Sequence, residues 1–174
     1  MPTSAVSESA SNFLPTRRRL KSSFARTATP ATAVFDASTF VRALPTVGDE
    51  ATASAWIEAA LDGRVRVTAP DLVYGEVANA LLRYVRAGAL ASADADEAMR
   101  LILEVPLRAV SLRRLAADAL TLAVDMGLSA YDATYVLLAE ATDSTLVTAD
   151  RRLATAVKGV ALIPNDGPPA LNRR

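Results

Sequence analysis

Residues 65–86 read VRVTAPDLVYGEVANALLRYVR. Val65 to Thr68 is a short β-branched run of the kind that fills a strand. Pro70 to Arg86 follows almost at once, with a proline suited to a first helical turn, an apolar stripe through Leu72, Val73 and Ala80, and Gly88 just beyond its end. A strand that passes straight into a helix, if repeated, implies a parallel sheet covered on both faces.

The unit is repeated on either side. Upstream, Thr32 to Phe35 reads as a strand and Asp49 to Leu61 as a helix. Downstream, Ser92 to Glu104 is helical, with Asp94, Asp96 and Glu97 in its first turn, where the helix dipole favours acids. Leu107 to Val110 is a third short strand. Leu112, Leu115, Ala116, Ala119, Leu122, Ala123 and Met126 then recur at helical spacing and stop at Gly127. Ser129 to Ala141 is a helix, Ser144 to Val147 a strand, Asp150 to Val157 a helix and Val160 to Ile163 a last strand. The expectation is an α/β domain over 31–163 with about five strands, preceded by an arm over 1–30 and followed by a loose tail over 164–174.

The arm is Ser-, Thr- and Ala-rich and carries Arg17, Arg18, Arg19, Lys21 and Arg26 against the single acid Glu8. It reads as a disordered basic segment. The same composition describes an organelle transit peptide, and an upstream start codon would also account for it. The whole chain has 19 basic and 19 acidic residues; without the arm's five bases and one acid, 14 face 18, a net −4. An anionic partner must therefore be met locally.

The chain has no cysteine and no histidine. Disulfides, sulfur-ligated metals, Ser-His-Asp and Cys-His nucleophiles and HExxH sites are all excluded. The seven glycines never fall into a dinucleotide or phosphate-loop spacing. No apolar run approaches the roughly 18 residues of a membrane helix, and no secretory signal is present, so a cytoplasmic location away from membranes is expected. The available chemistry is that of carboxylates, hydroxyls, arginines and a hard metal ion.

Asp36 directly follows the apolar run Ala33, Val34, Phe35, and Asp150 follows Leu146, Val147, Thr148, Ala149. Both close strands at the carboxyl edge, where an open parallel sheet carries its ligand crevice. Asp132 lies in the first turn of the helix opened by Ser129, and Glu76 in the second turn of the helix opened by Pro70. Each acid also has a plain role. Asp36 and Asp150 suit helix caps, Ser129-x-x-Asp132 resembles a capping box, and Glu76 suits a solvated helix face. Capping alone does not explain why all of them fall on one rim. Converging carboxylates repel unless neutralised, and Mg²⁺, with Mn²⁺ as the alternative, takes oxygen ligands from carboxylates, water and phosphate. A metal-bound water needs no histidine base, so the implied reaction is phosphodiester hydrolysis.

Four segments then resemble a PIN-domain ribonuclease, specifically the VapC-type toxins of type II toxin–antitoxin systems. They are Val34-Phe35-Asp36-Ala37-Ser38, the run from Pro70 to Leu81, the run from Leu128 to Tyr135, and Leu146-Val147-Thr148-Ala149-Asp150. They occur in family order over about 32 to 163. The resemblance implies a three-layer α/β/α fold and a Mg²⁺-dependent endoribonuclease, normally a homodimer, inhibited by a small cognate antitoxin that inserts a basic side chain near the acidic site. It implies metal-site roles for Asp36, Glu76, Asp132 and Asp150, an orienting hydroxyl at Thr148, a position near the metal for Ser38, and a supporting role for Asn79. Arg42, Arg83, Arg86, Arg151 and Arg152 are candidates for RNA phosphate contact. The arm has no counterpart in typical members.

Two other classes compete. A PIN-like module without catalysis would bind RNA or a partner only, but would have no chemical need for four acids. An aspartate-nucleophile phosphotransferase of haloacid dehalogenase type also ends its first strand in Asp. Asp36, however, has no second Asp two residues on, and no suitable lysine precedes Asp150.

Overall fold

The structure, a computed structural model, describes residues 30–48, 50–157, 159–163 and 165–170. The arm expected over 1–30 lies outside the described residues except for Pro30.

Strand β1 (Ala31–Phe35) is flanked by β2 (Val65–Pro70) and β4 (Thr145–Thr148), with β3 (Leu107–Val110) and β5 (Val160–Leu162) outside them. The order is β3-β2-β1-β4-β5, and every pairing is parallel, with Ala33 opposite Val67 and Phe35 opposite Val147. Among the described residues seven helices join the strands: α1 (Ala37–Ala43), α2 (Ala51–Leu61), α3 (Leu72–Arg86), α4 (Ser92–Leu103), α5 (Leu112–Met126), α6 (Ala130–Ala141) and α7 (Arg151–Ala156). From β1 the chain moves outward through β2 to β3, then returns past β1 to β4 and β5. Right-handed crossovers therefore lay α1–α4 on one face and α5–α7 on the other. The expected three-layer α/β/α sandwich results, and the order reverses between β1 and β4.

The sheet is buried because its strands present Ala33, Val34, Phe35, Val67, Leu146 and Val147 to both layers. Phe35 meets Phe40 and Trp56 edge-on, with ring centroids 5.8 and 5.9 Å away. Emptying such a site to Ala costs about 3–5 kcal/mol. Helix α3 buries Val73, Val77, Ala80 and Leu81 along one stripe, whereas α6 buries residues around most of its circumference. Gly127 ends α5 in the left-handed region at φ 65°, a conformation that disfavours side-chain-bearing residues.

Two details depart from the sequence reading. Pro70 does not open α3. It is the last residue of β2, opposite Val110, where a missing N–H costs no ladder bond at the strand's end. Asp71 makes the turn instead, donating its N–H to Val110 O and accepting from Leu112 N at 2.9 Å. Within the expected tail, Asp166 is tied down: its carbonyl accepts from Trp56 Nε1 at 2.8 Å, and its carboxylate from Leu162 N.

Candidate active site

Asp36 leaves β1 at the point where the strand order reverses, the usual ligand crevice of an open parallel sheet. Its N–H still pairs with Val147 O, at 3.2 Å, so the ladder aims the residue. Its Oδ1 accepts from Ser38 Oγ at 2.6 Å and Thr39 N at 3.1 Å, and its Oδ2 accepts from Thr148 Oγ1 at 2.5 Å. Ser38 Oγ in turn accepts from Ala149 N, and Thr148 Oγ1 from Asp150 N, at 2.7 and 2.9 Å. Each hydroxyl has its lone pair occupied by a backbone N–H, which leaves its proton for Asp36. Asp36 is only 8% exposed and Thr148 fully buried. Burial pushes the Asp36 carboxyl up from its ordinary value, and the bonds from Ser38, Thr148 and Thr39 oppose that shift.

Glu76 comes from α3 on one face of the sheet, and Tyr135 from α6 on the other. The Tyr135 phenol donates to Glu76 Oε2, closing the crevice from both layers. Glu76 is also pushed up, chiefly by burial. Its bond from Tyr135 opposes the shift, while the negative charges of Asp36 and Asp132 add to it. Burial and the Glu76 carboxylate drive the Tyr135 phenol far upward, so it remains a donor throughout the physiological range.

Ser129 Oγ accepts from Asp132 N at 3.0 Å, which is one half of the expected capping box. The Asp132 carboxylate makes a different contact: its Oδ2 accepts from Arg152 of α7 at 2.9 Å. Asp150 caps α7, accepting from Arg152 N at 2.8 Å and Leu153 N at 3.3 Å. The plain roles and a place on one rim are thus compatible: Asp36 and Asp150 cap their helices through Oδ1, Asp36 giving its Oδ2 to Thr148 and Asp150 keeping its Oδ2 without a hydrogen bond from the described residues, while at Asp132 it is Ser129 that caps.

Asp36, Glu76, Asp132 and Asp150 all line one recess of about 520 Å³, together with Ser38, Asn79, Arg83, Tyr84, Tyr131 and Tyr135. Thr148 does not line it and supports Asp36 from beneath. Glu76 Oε1, Asp132 Oδ1 and Asp150 Oδ2 accept no hydrogen bond from the described residues. The four acids are nevertheless not drawn together: no group of three is close enough to hold a metal among the described residues. Of the arginines expected to meet phosphate, Arg83 lines the recess and Arg152 is engaged with Asp132, whereas Arg42, Arg86 and Arg151 lie outside the lining. Tyr135 closes the Leu128–Tyr135 segment that carries the resemblance, three residues after Asp132 on the same helix face, but neither a role for it nor its contact with Glu76 was expected.

Residues 33–159 match the family model described as PIN domain. The chain is 38% identical over 130 residues to Ribonuclease VapC3 of Mycobacterium tuberculosis, covering 75% of this chain and 90% of that protein. It is likewise 38% identical over 86 residues to Ribonuclease VapC3 of Pyrobaculum aerophilum, but spans only 66% of that relative's length. Among solved structures, PAE2754 of Pyrobaculum aerophilum superposes with a TM-score of 0.60 at 26% identity, covering 78% of this chain and 92% of that one. The Mycobacterium tuberculosis VapC20, described as a sarcin-ricin loop cleaving toxin, shares the fold at a TM-score of 0.53 and 17% identity, over 71% of this chain and 94% of that one. VapBC2 of Rickettsia felis, solved on a DNA fragment of its promoter, does so at 0.52 and 13%, over 75% and 96%.

Proposed function

The chain belongs to the PIN-domain family, and from that premise we propose that it is a Mg²⁺-dependent endoribonuclease, the toxin of a toxin–antitoxin pair. The observation that carries this reading is the lining of a single crevice by Asp36, Glu76, Asp132 and Asp150. The names of the mycobacterial and Pyrobaculum relatives support the substrate class.

In chemical type, though not in the spacing of the side chains as they stand among the described residues, the donor set fits a hard divalent cation. It is all oxygen, three of its carboxylates keep an oxygen without a hydrogen bond from the described residues, and the negative charges of Asp36 and Asp132 add to the upward shift that burial gives Glu76. Asp36, Glu76, Asp132 and Asp150 would hold the ion, which when bound supplies charge neutralisation and an acidified water. The protein's own contribution is orientation. Ser38 and Thr148 hold the Asp36 carboxylate in one direction, Tyr135 holds Glu76 from the opposite layer, and Arg83 stands on the wall where a phosphate oxygen would lie. Held donors need not reorganise as charge develops on the scissile phosphate.

A cognate antitoxin and a homodimeric state complete the proposal; the Rickettsia felis structure, which shares the fold, is of VapBC2. Among the described residues no helix is long and apolar enough to cross a membrane. One observation favours the second reading, a non-catalytic PIN-like binding module: Arg152 already neutralises Asp132, as it would in a domain that holds no cation. RNA cleavage by the purified chain with Mg²⁺ and with chelator decides between them. Mg²⁺-dependent cleavage lost in Asp36→Asn is expected; cleavage absent under all conditions, with RNA still bound, would establish the binding module instead.

A further inference from the structure

The end of the sheet remote from the carboxylates carries a second recess. Thr32 pairs with Arg66 across β1 and β2, and Thr68 with Arg108 across β2 and β3. Side chains two residues apart on a strand share a face, so Arg66, Thr68 and Arg108 stand together on one face of two neighbouring strands. All three line a recess of about 480 Å³ beside the turn residues Gly63 and Ser144. Both arginines are exposed.

The composition of this recess is one-sided. No carboxylate lines it. Among the described residues neither Arg66 nor Arg108 forms an ion pair, and the Thr68 hydroxyl makes no hydrogen bond. Two guanidinium forks and a hydroxyl, held on adjacent strands and lacking an anion, match the oxygens of a phosphate.

We propose that Arg66, Thr68 and Arg108 form a phosphate-binding exosite that holds the backbone of the RNA substrate away from the point of cleavage. The inference rests on the ribonuclease reading for the identity of the anion. Arg66 lies opposite Thr32, four residues before Asp36, and Thr68 and Arg108 lie level with Val34, two before it, which puts the exosite about 7–13 Å from the acids along the strand. A chain cut at the acidic rim therefore reaches it only with nucleotides beyond the scissile bond. Residues 31–174 are net acidic, so binding a polyanion there requires local basic contacts of this kind. The recess is open to solvent, which suits a strand passing across it.

The test uses the full chain in chelator, so that RNA is bound and not cut. Anisotropy of a labelled single-stranded RNA is measured at several salt concentrations for wild type, Arg66→Gln/Arg108→Gln and Arg66→Lys/Arg108→Lys. The glutamine pair should bind at least tenfold more weakly at low salt. Its log–log salt slope should be shallower by roughly 1.4, two contacts at about 0.7 each, and its melting temperature unchanged. The lysine pair should keep most of the slope. Affinity and slope both unchanged in the glutamine pair, in a wild type that cleaves RNA, would overturn the exosite alone. Inorganic phosphate that raises the melting temperature of wild type and not of the glutamine pair, with RNA affinity unchanged, would assign the recess to a small phosphate compound and overturn the RNA assignment. A wild type that neither binds nor cleaves RNA would remove the ribonuclease reading and the exosite with it.

Discussion

Thr148 Oγ1 lies 2.5 Å from Asp36 Oδ2, although the two residues are 112 positions apart in the chain. The contact joins the carboxyl ends of β4 and β1, so the same hydroxyl that receives the Asp150 N–H orients the most buried acid of the crevice. A valine at position 148 keeps the shape and removes both bonds. Thr148→Val should lose about 1–3 kcal/mol of stability, the cost of stranding a buried polar group, which corresponds to about 2–4 °C in melting temperature per kcal/mol at this chain length. Cleavage should fall by roughly tenfold to a hundredfold, as when a ligand loses its supporting partner. Thr148→Ser, which keeps the hydroxyl, should restore most of the rate. Wild-type cleavage in the valine variant would show that Asp36 needs no such support.

Glu76 gives a pH signature. Its folded-state carboxyl is raised above the ordinary value of 4.5, mainly by burial, so between that value and the raised one the native state binds more protons than the unfolded state. Stability contributed by the protonated group is complete below the ordinary value and is lost as pH rises through the raised one. Asp36 shifts in the same direction. In chelator, Glu76→Gln should match wild type in melting temperature at the acid end and exceed it by a margin that widens toward neutrality. A margin that is constant, or that narrows with rising pH, would contradict the burial argument.

Divalent cation should stabilise the folded chain without any substrate. At a concentration one hundred times its Kd, a ligand that binds only the native state adds about 2.7 kcal/mol. Mg²⁺ or Mn²⁺ should therefore raise the wild-type melting temperature, and Asp36→Asn should abolish both this shift and RNA cleavage. Asp36→Asn removes a charge that burial penalises but also one oxygen that accepts from a buried hydroxyl, so in chelator it should stay folded with a melting temperature within a few degrees of wild type. A full metal-induced shift in Asp36→Asn would move the ion away from these acids.

The partner protein should inhibit through the acidic rim. Arg152 shows that a guanidinium can seat on Asp132, with a donor–acceptor distance of 2.9 Å, and an arginine supplied in trans can do the same at Asp36, Glu76 or Asp150. The inhibitor is expected to have two separable parts, an apolar docking helix and this basic residue. Changing each basic residue of the encoded neighbour to Ala, and measuring affinity and inhibition separately, should find one that weakens inhibition more than binding. Wild-type inhibition by every such variant would place its action elsewhere on the domain.

What could be read from the sequence was set by contacts close along the chain. The alternation of short strands and helices, the acid after β1 and the acid before α7 follow from runs and caps spanning two to four residues, and the structure has them where they were expected. The convergence of Asp36 and Asp150 was legible because parallel strands put all their carboxyl ends on one edge. Tertiary structure decided what depends on register between distant segments. Pro70 was taken into β2 by pairing with β3, the Glu76 carboxylate met the Tyr135 phenol from the opposite layer, Arg152 turned to Asp132, and Arg66 came to stand beside Arg108. None of these has a local signature. A hydrogen bond or shared face between residues far apart along the chain exists only once strand order and helix packing have brought the two together, and in this chain the strand order reverses beside the recess that the acids line.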